Sequence, residues 1–258
     1  MLTISLITVV YNRAATIERA IRSVLQQTYP HIEYIVVDGA STDGTLEILQ
    51  RYRHRINTLV SEPDEGIYDA LNKGIRLATG DVVGILHADD AFADERVLAE
   101  VAERFEQDPA PDCLYGDVGF VQEQQPHRIV RYFSSSIFHR GLFRYGIMPA
   151  HPTFFCYRKY FEKHGFYRTD LEIAADFDLL LRFLKTHQLR SAYLARMLVI
   201  MNMGGKSTRG INSTIKINRE IKQVLKEHKI PSSYLHLYAR YFIKVQEFWR
   251  RKTKIRPA

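Results

Sequence analysis

Two carboxylates stand side by side at Asp89-Asp90, and the residues before them, Val82-Val83-Gly84-Ile85-Leu86-His87-Ala88, form an apolar run introduced by the turn dipeptide Gly80-Asp81. A β-prone run of this length suits a strand buried on both faces of a parallel sheet. In open sheets of that kind ligands sit beyond the carboxyl ends of the strands, where the acid pair falls. Two adjacent acidic ligands suit a hard divalent cation, Mg²⁺ or Mn²⁺, that keeps positions open for the oxygens of a phosphorylated substrate. The same dipeptide can instead cap a helix beginning near Asp94. Asp38 closes another apolar run and Asp176 opens a helical stretch. Each alone reads as a cap, but gathered on one rim of one sheet they read as a site.

The elements that must position these acids alternate in type. Thr3 to Val10 is a β-branched run, and after Tyr11-Asn12-Arg13 come Ile17, Ala20, Ile21, Val24 and Leu25 at helical spacing. Tyr34 to Val37 gives a second strand, ending in the Gly-, Ser- and Asp-rich loop Asp38 to Thr45. A helix over Thr45 to Tyr52, a strand over Asn57 to Val60 and a helix carrying Ile67, Ala70, Leu71, Gly74 and Ile75 follow. This order predicts a doubly wound, mostly parallel α/β sheet with helices on both faces, the Asp89-Asp90 strand being its fourth. Beyond it a helix near Arg96 to Glu106 and a strand over Cys113 to Val121 are expected. The pattern then loosens from Gln122 to Met148, which reads as a mobile lid or acceptor loop. A helix over Ile173 to Leu184 carries Asp176 and Asp178 in its first turn, and Ser191 to Met203 is a further strand.

At 258 residues and 46% apolar composition, the chain can bury one sizeable core and carry an appendage. The net charge of +7 is unevenly placed: from Lys206 onward 14 Lys and Arg stand against 3 acids, whereas residues 1–205 carry a net −4. A boundary is therefore expected there, with 1–205 the main domain and 206–258 a basic helical C-terminal extension drawn to an anionic surface. Cys113 and Cys156 have neither disulfide-framework nor zinc spacing, which fits a reducing compartment. No run approaches the length of a membrane span, and Met1 to Ser5 enters a core strand without a basic leader. A cytoplasmic protein is expected, with no nucleic-acid partner.

Several familiar motifs fail on spacing. Gly205-Lys206-Ser207 resembles the end of a phosphate-binding loop, but Ile200 stands where the first glycine is required. Asp38 to Gly44 lacks calcium-loop ligands, with Ala40 at the third position and Leu49 at the twelfth. Other residues admit two readings. Lys73 can pair with Asp69 one helical turn away, or reach a diphosphate. His151 can line an acceptor site, supply a metal nitrogen, or serve as a hydrogen-bonded structural residue. Lys206, after two glycines, can fold over bound substrate as a lid.

Five stretches together resemble one family: Val9-Val10-Tyr11-Asn12-Arg13, Val36 to Thr45, Asp64-Glu65-Gly66-Ile67-Tyr68-Asp69-Ala70-Leu71-Asn72-Lys73-Gly74, Ala88-Asp89-Asp90, and Ala174-Ala175-Asp176-Phe177-Asp178 with the Leu and Arg that follow. In this order they resemble a family 2 glycosyltransferase of the GT-A fold, similar to bacterial enzymes of exopolysaccharide, colanic-acid or O-antigen assembly, over Thr3 to Gly205. The resemblance implies a nucleotide-diphospho-sugar donor, expected to be a UDP-sugar, a divalent Mn²⁺ or Mg²⁺, and transfer with inversion to a glycan or lipid-linked acceptor. By position it implies nucleobase contacts for Tyr11 and Asp38, with Asp43 and Lys73 also on the nucleotide. Asp89 would reach the ribose or metal, Asp90 the metal between the phosphates, and Asp176 would be the general base. Ala88 and Ala175 depart from the family pattern, where many members carry Asp and Glu. Two competing functions remain: a nucleotidyltransferase on a similar sheet, which would need a basic Gly-rich signature near the first strand, and a non-catalytic membrane-surface module.

In the tail, Leu235, Tyr238, Phe242, Val245 and Trp249 recur at three- and four-residue steps, with Arg240, Lys244 and Arg251 away from them. That is the composition of a helix lying in an anionic membrane interface, which would hold the protein peripherally on the inner face of the cell membrane. The same stripe could instead pack on the domain or on a second copy as a homodimer.

Overall fold

The computed structural model describes residues 1–122, 125–203 and 211–240. Its first half follows the alternation: β1 (Ile4–Val10), α1 (Ile17–Leu25), β2 (Ile32–Asp38), α2 (Thr45–Arg51), β3 (Thr58–Ser61), α3 (Ile67–Leu77) and β4 (Val82–Ile85). All seven residues of β1 are buried, as a strand covered on both faces requires. Ile4, Leu6 and Val10 face a core closed by Ile17, Ala20, Ile21 and Val24 of α1, while Ile7 and Val9 face a second core with Ala70, Leu71 and Ile75 of α3. β1 pairs in parallel with β2 on one side and β4 on the other, and β3 extends β2 in parallel. Gly74 lets α3 close onto β1, since a Cβ there would stand 2.5 Å from Ile7 Cγ2.

The second half departs from a parallel sheet. After β5 (Asp90–Phe92) and α4 (Val97–Glu106) come β6 (Cys113–Gln122), β7 (Gln125–Phe133), β8 (Phe155–Tyr157), α5 (Arg158–His164), α6 (Ala175–Leu181), β9 (Ser191–Asn202) and α7 (Ile211–Glu227). The sheet order is β3-β2-β1-β4-β8-β6-β9-β5, with β7 beside β6. β8 is antiparallel to both β4 and β6, β6 and β9 are parallel, and β5 is antiparallel to β9. The result is one mixed α/β sheet. At the β4–β8 contact only glycine fits, because a Cβ on Gly84 would sit 2.2 Å from the ring of Phe155.

Two expectations are corrected here. The Gln122 to Met148 stretch is not a loose loop: β7 pairs with β6 from Val118 opposite Phe133, and Asp117 accepts hydrogen bonds from the Ser135 amide (2.7 Å) and the Tyr193 hydroxyl (2.9 Å). Ile129, Val130 and Tyr132 on β7 are exposed, so the strand lacks the one-sided burial that marks a strand in sequence. The acid pair also lies one turn beyond its strand. β4 ends at Ile85, the Asp90 amide donates to the His87 carbonyl (3.0 Å), and Asp90 begins β5 opposite Met201.

The described part of the basic tail shares the domain's core. Ile221, Val224 and Leu225 of α7, with Leu237 beyond it, are buried in the same cluster as Phe177 and Leu180 of α6. Among the described residues no helix is long and apolar enough to cross a membrane.

Candidate active site

The carboxyl ends of β1 and β2 carry two loops that are tied together. Asn12, with a left-handed φ of 49°, accepts from the Thr42 amide (2.9 Å) and donates its own amide to Ser41 Oγ (2.8 Å). Asp43 accepts from the Ala14 amide (3.1 Å) and from the Thr45 hydroxyl (2.5 Å), and the latter bond holds its carboxyl below the usual range. The residue carried onto the nucleotide as Asp43 is thus the clasp between the two loops. Asp38 is wholly buried and accepts from the Ser41 amide (3.1 Å) and Ser61 Oγ (2.6 Å), bracing the second loop from beneath. Tyr11 is 58% exposed. Its ring lies 3.4 Å, and Asp64 Oδ2 2.4 Å, from where a Gly39 Cβ would be, so a tyrosine face, bare backbone and a carboxylate share one spot. Sequence reasoning did not single out Asp64, although it opens the quoted Asp64-Glu65-Gly66 stretch. Lys73 lies against Glu62 (3.0 Å) and Asp69 (3.4 Å) and donates to the Pro63 carbonyl (3.0 Å), which favours its ion-pair reading over a diphosphate contact.

The acid pair is held from two sides. The Asp89 carbonyl accepts from Arg19 Nη2 of α1 (2.7 Å) and from Asn202 Nδ2 at the end of β9 (3.1 Å). Asp90 is 1% exposed, and its Oδ2 has no hydrogen-bond partner. Burial pushes its carboxyl well above the ordinary range, the neighbouring Asp89 charge adds to this, and Arg19 opposes it. Asn202 Oδ1 is likewise buried without a partner, a second orphaned oxygen beside the pair that the sequence did not flag. A buried, unbonded carboxylate oxygen is costly unless something outside the chain completes it. A divalent cation fits that need. Among the described residues no three His, Cys, Asp or Glu side chains converge, so Asp89 and Asp90 would hold it with substrate oxygens supplying the remainder.

Asp176 sits half-buried in the first turn of α6, its Oδ1 accepting from the Phe177 amide (2.6 Å). Burial pushes its carboxyl up to about 7, against the pull of the Phe177 and Asp176 amides and with the Glu220 charge assisting. An aromatic wall links it to the acid pair. The Tyr68 hydroxyl donates to the Ile173 carbonyl (2.6 Å), the Tyr68 ring stacks on Tyr167 (5.7 Å), and the Tyr167 hydroxyl meets His151 Nε2 (2.7 Å). The His151 ring in turn lies 6.1 Å from that of His87. Asn72 pins Tyr167 by bonding both its amide (2.9 Å) and its carbonyl (2.8 Å). Burial lowers His151 to about 3 and lowers His87, so both imidazoles are neutral at pH 7. His151 thus has a hydrogen-bond partner in Tyr167, which suits the structural reading among its three. Asp178 is structural, as its position along α6 suggested: buried, it pairs with Arg182 (3.1 Å) and His228 (3.3 Å). Lys206, read as a lid, lies outside the described residues. A groove of about 570 Å³ opens elsewhere, lined by Arg144, Lys185, Thr186, His228 and Lys229, and none of these carboxylates lines it.

A deep carboxylate with an unfilled oxygen, a second carboxyl raised by burial and an exposed tyrosine suit transfer from an anionic, nucleotide-linked donor. Comparison with known proteins agrees on the family. The glycosyl transferase family 2 model matches residues 5–166. A PGL/p-HBAD biosynthesis glycosyltransferase from Mycobacterium bovis is 29% identical over 223 residues, which cover 85% of this chain and 83% of that protein. Among solved structures, Staphylococcus aureus TarS 1–349 in complex with UDP-GlcNAc superposes with a TM-score of 0.65 at 19% identity, covering 87% of this chain and 66% of that one. The mannosyltransferase PcManGT from Pyrobaculum calidifontis, in complex with GDP-Man and Mn²⁺, gives 0.61 at 23% identity, covering 90% and 65%. This chain spans about two thirds of each of those two structures. The family match takes in the loops after β1 and β2 and the acid pair, and the strands beyond it complete the same sheet: the chain is a family 2 glycosyltransferase with the GT-A fold.

Proposed function

We propose that the protein transfers a sugar, with inversion, from a UDP-sugar to a hydroxyl of a glycan or lipid-linked acceptor in cell-surface polysaccharide synthesis. The observation that carries this reading is the buried, unpartnered Oδ2 of Asp90 beside Asp89. Bound there, a divalent cation would offset the charge that builds on the leaving diphosphate, an effect worth several kcal/mol. Tyr11, the Gly39 backbone and Asp64 form the seat for the nucleobase, with Asp38 keeping the loop in shape beneath them. Arg19 and Asn202 fix the Asp89 backbone, so the pair keeps its direction as the donor arrives. Asp176 takes the acceptor hydroxyl's proton as that oxygen attacks the anomeric carbon from the face opposite the diphosphate, and a single displacement of this kind inverts the centre.

Calorimetry with UDP- and GDP-sugars, with and without Mn²⁺, tests this directly. A UDP-sugar should bind at least about tenfold more tightly with Mn²⁺ than without, since a cation held by Asp89 and Asp90 would offset the charge of the diphosphate. Tighter binding of a nucleoside triphosphate than of any sugar nucleotide would move the reading to nucleotidyl transfer, and no nucleotide binding at all would remove it.

We further propose that the C-terminal segment rests on an anionic membrane surface. Leu235 is 79% and Tyr238 48% exposed, while Leu237 and Arg240 turn inward and are buried. Leu235, the first member of the tail's apolar stripe, thus faces away from the domain, and Phe242, Val245 and Trp249 lie outside the described residues. Each cation near an anionic bilayer contributes roughly 1 kcal/mol. Full-length protein should co-sediment with vesicles containing phosphatidylserine, less so as salt rises, and removal of residues 241–258 should abolish this while leaving Leu237 and Arg240 in place. Co-sedimentation indifferent to the truncation would refute the assignment, and a change from dimer to monomer without vesicle binding would reassign the stripe to a second copy.

A further inference from the structure

The segment that carries Asp176 into the site is gripped by the basic tail. Glu220 projects from α7, and its Oε2 accepts the amides of Ile173 (2.9 Å) and Ala174 (2.9 Å) while Oε1 accepts that of Glu172 (3.3 Å). Ala174 is the residue before α6, and Asp176 follows two positions on. From the other side the Tyr68 hydroxyl holds the Ile173 carbonyl, so the turn is fixed through donors and acceptor alike. The rest of the tail locks this arrangement: Lys216 pairs with Glu172, Glu227 with Arg168, and His228 with the buried Asp178 (3.3 Å). Ile221, Val224 and Leu225 seat α7 in the core that α6 also fills.

We propose that Glu220 is a positioning residue for the transfer reaction: through the amides of Glu172, Ile173 and Ala174 it sets where Asp176 stands, which makes α7 part of the catalytic apparatus. The proposal rests on Asp176 being the base. Three charge-assisted N–H bonds to one carboxylate hold a short turn far better than neutral acceptors would. Without them these amides have only water, and the first turn of a seven-residue helix has little of its own to keep it in register. Glu220 acts on the base in a second way, because a like charge near a carboxyl favours its protonated form. The titratable groups facing Asp176 are Tyr68 from α3, Tyr167 from the segment after α5 and Glu220 from α7. Of these, burial raises Tyr68 and Tyr167, which stay neutral phenols, and Glu220 is the one carboxylate. A base of higher proton affinity is the stronger acceptor of the hydroxyl's proton, provided it is ionised at the working pH.

The test compares wild type with Glu220→Gln and Glu220→Ala, using carboxyl ¹³C NMR of aspartate-labelled protein. The Asp176 signal is assigned by its loss in Asp176→Asn. Glu220→Gln keeps an acceptor for the turn and removes the charge, so the Asp176 midpoint should move to lower pH by on the order of a few tenths of a unit or more. Glu220→Ala also frees the turn, and turnover of UDP-GlcNAc, or of the sugar nucleotide that calorimetry ranks first, should fall about tenfold in kcat with donor KM unchanged. Glu220→Gln should restore most of that loss. A midpoint unmoved in Glu220→Gln would overturn the proposal, as would full kcat in Glu220→Ala. If Glu220→Ala does not fold, the Glu220→Gln titration decides alone. Full turnover by Asp176→Asn would remove the base reading itself, whereas a dead Asp176→Asn beside an unmoved Glu220→Gln midpoint would remove only the role of Glu220.

Discussion

Replacing Asp90 with alanine should lower kcat/KM by about 10³-fold or more and leave a protein that folds at least as well as wild type without metal. The two halves of this expectation share one cause. Oδ2 of Asp90 is buried and unbonded, so in the metal-free protein it is a desolvated polar atom with nothing to offset its cost. Removing such a group returns about 1–3 kcal/mol, against a loss from the small cavity that replaces a carboxylate. The metal-free variant should therefore melt at or slightly above the wild-type temperature. In the presence of Mn²⁺ and UDP the order reverses, because wild type gains stability in proportion to ligand occupancy and the variant does not. A merely structural aspartate would show the opposite pattern, with loss of stability in every condition and activity falling in step. Melting curves with and without Mn²⁺ and UDP, alongside initial rates, separate the two. A variant that melts well below wild type without metal, or that keeps its Mn²⁺-dependent shift, would place the cation elsewhere.

What the sequence made legible follows from which signals are local. β1 could be read because a strand buried on both faces needs seven consecutive core-compatible residues, and Ile4 to Val10 supplies them. The acid pair stood out because two carboxylates directly after such a run are costly wherever they are buried, and Asp90 is buried. β8 could not be placed, since three residues inserted antiparallel between β4 and β6 are specified by the ring of Phe155 filling the space above Gly84, a contact between residues far apart in the chain. β7 was lost because its exposed faces give no alternation of burial. Within the site the same rule holds. Asp43 and Asp64 look alike in sequence, each an acid in a Gly-containing loop. Only their partners distinguish them, Asp43 being spent on Ala14 and Thr45 while Asp64 stands beside Tyr11. Glu220 gave no signal at all, as one of two acids among the cations of a basic helix, and its role follows from a contact with Ala174 that spans 46 residues.

Asp176→Asn should reduce turnover by about 10²- to 10⁴-fold while donor affinity stays within about twofold of wild type. Asparagine keeps the shape and the bond from the Phe177 amide but cannot take a proton, so only the step in which the acceptor hydroxyl is activated loses its stabilisation. The pH profile gives the sharper reading. A base must be ionised to act, and burial pushes this carboxyl up to about 7. The wild-type kcat/KM should therefore rise about tenfold per pH unit below 7 and level off above it, whereas the residual rate of the variant should be flat across that limb. Stability supplies an independent check, and its sign is the reverse of the usual paired carboxylate. A carboxyl whose folded value is raised above the unfolded one of about 4 binds its proton more tightly in the native state, so native stability falls as pH rises from about 4 through 7 and is level beyond. Asp176→Asn removes this penalty and should melt higher than wild type at pH 8 but not at pH 4. Equal loss of donor binding and rate would assign Asp176 to the nucleotide site. A wild-type acid limb near pH 4, or one that persists in the variant, would mean that some other group takes the proton.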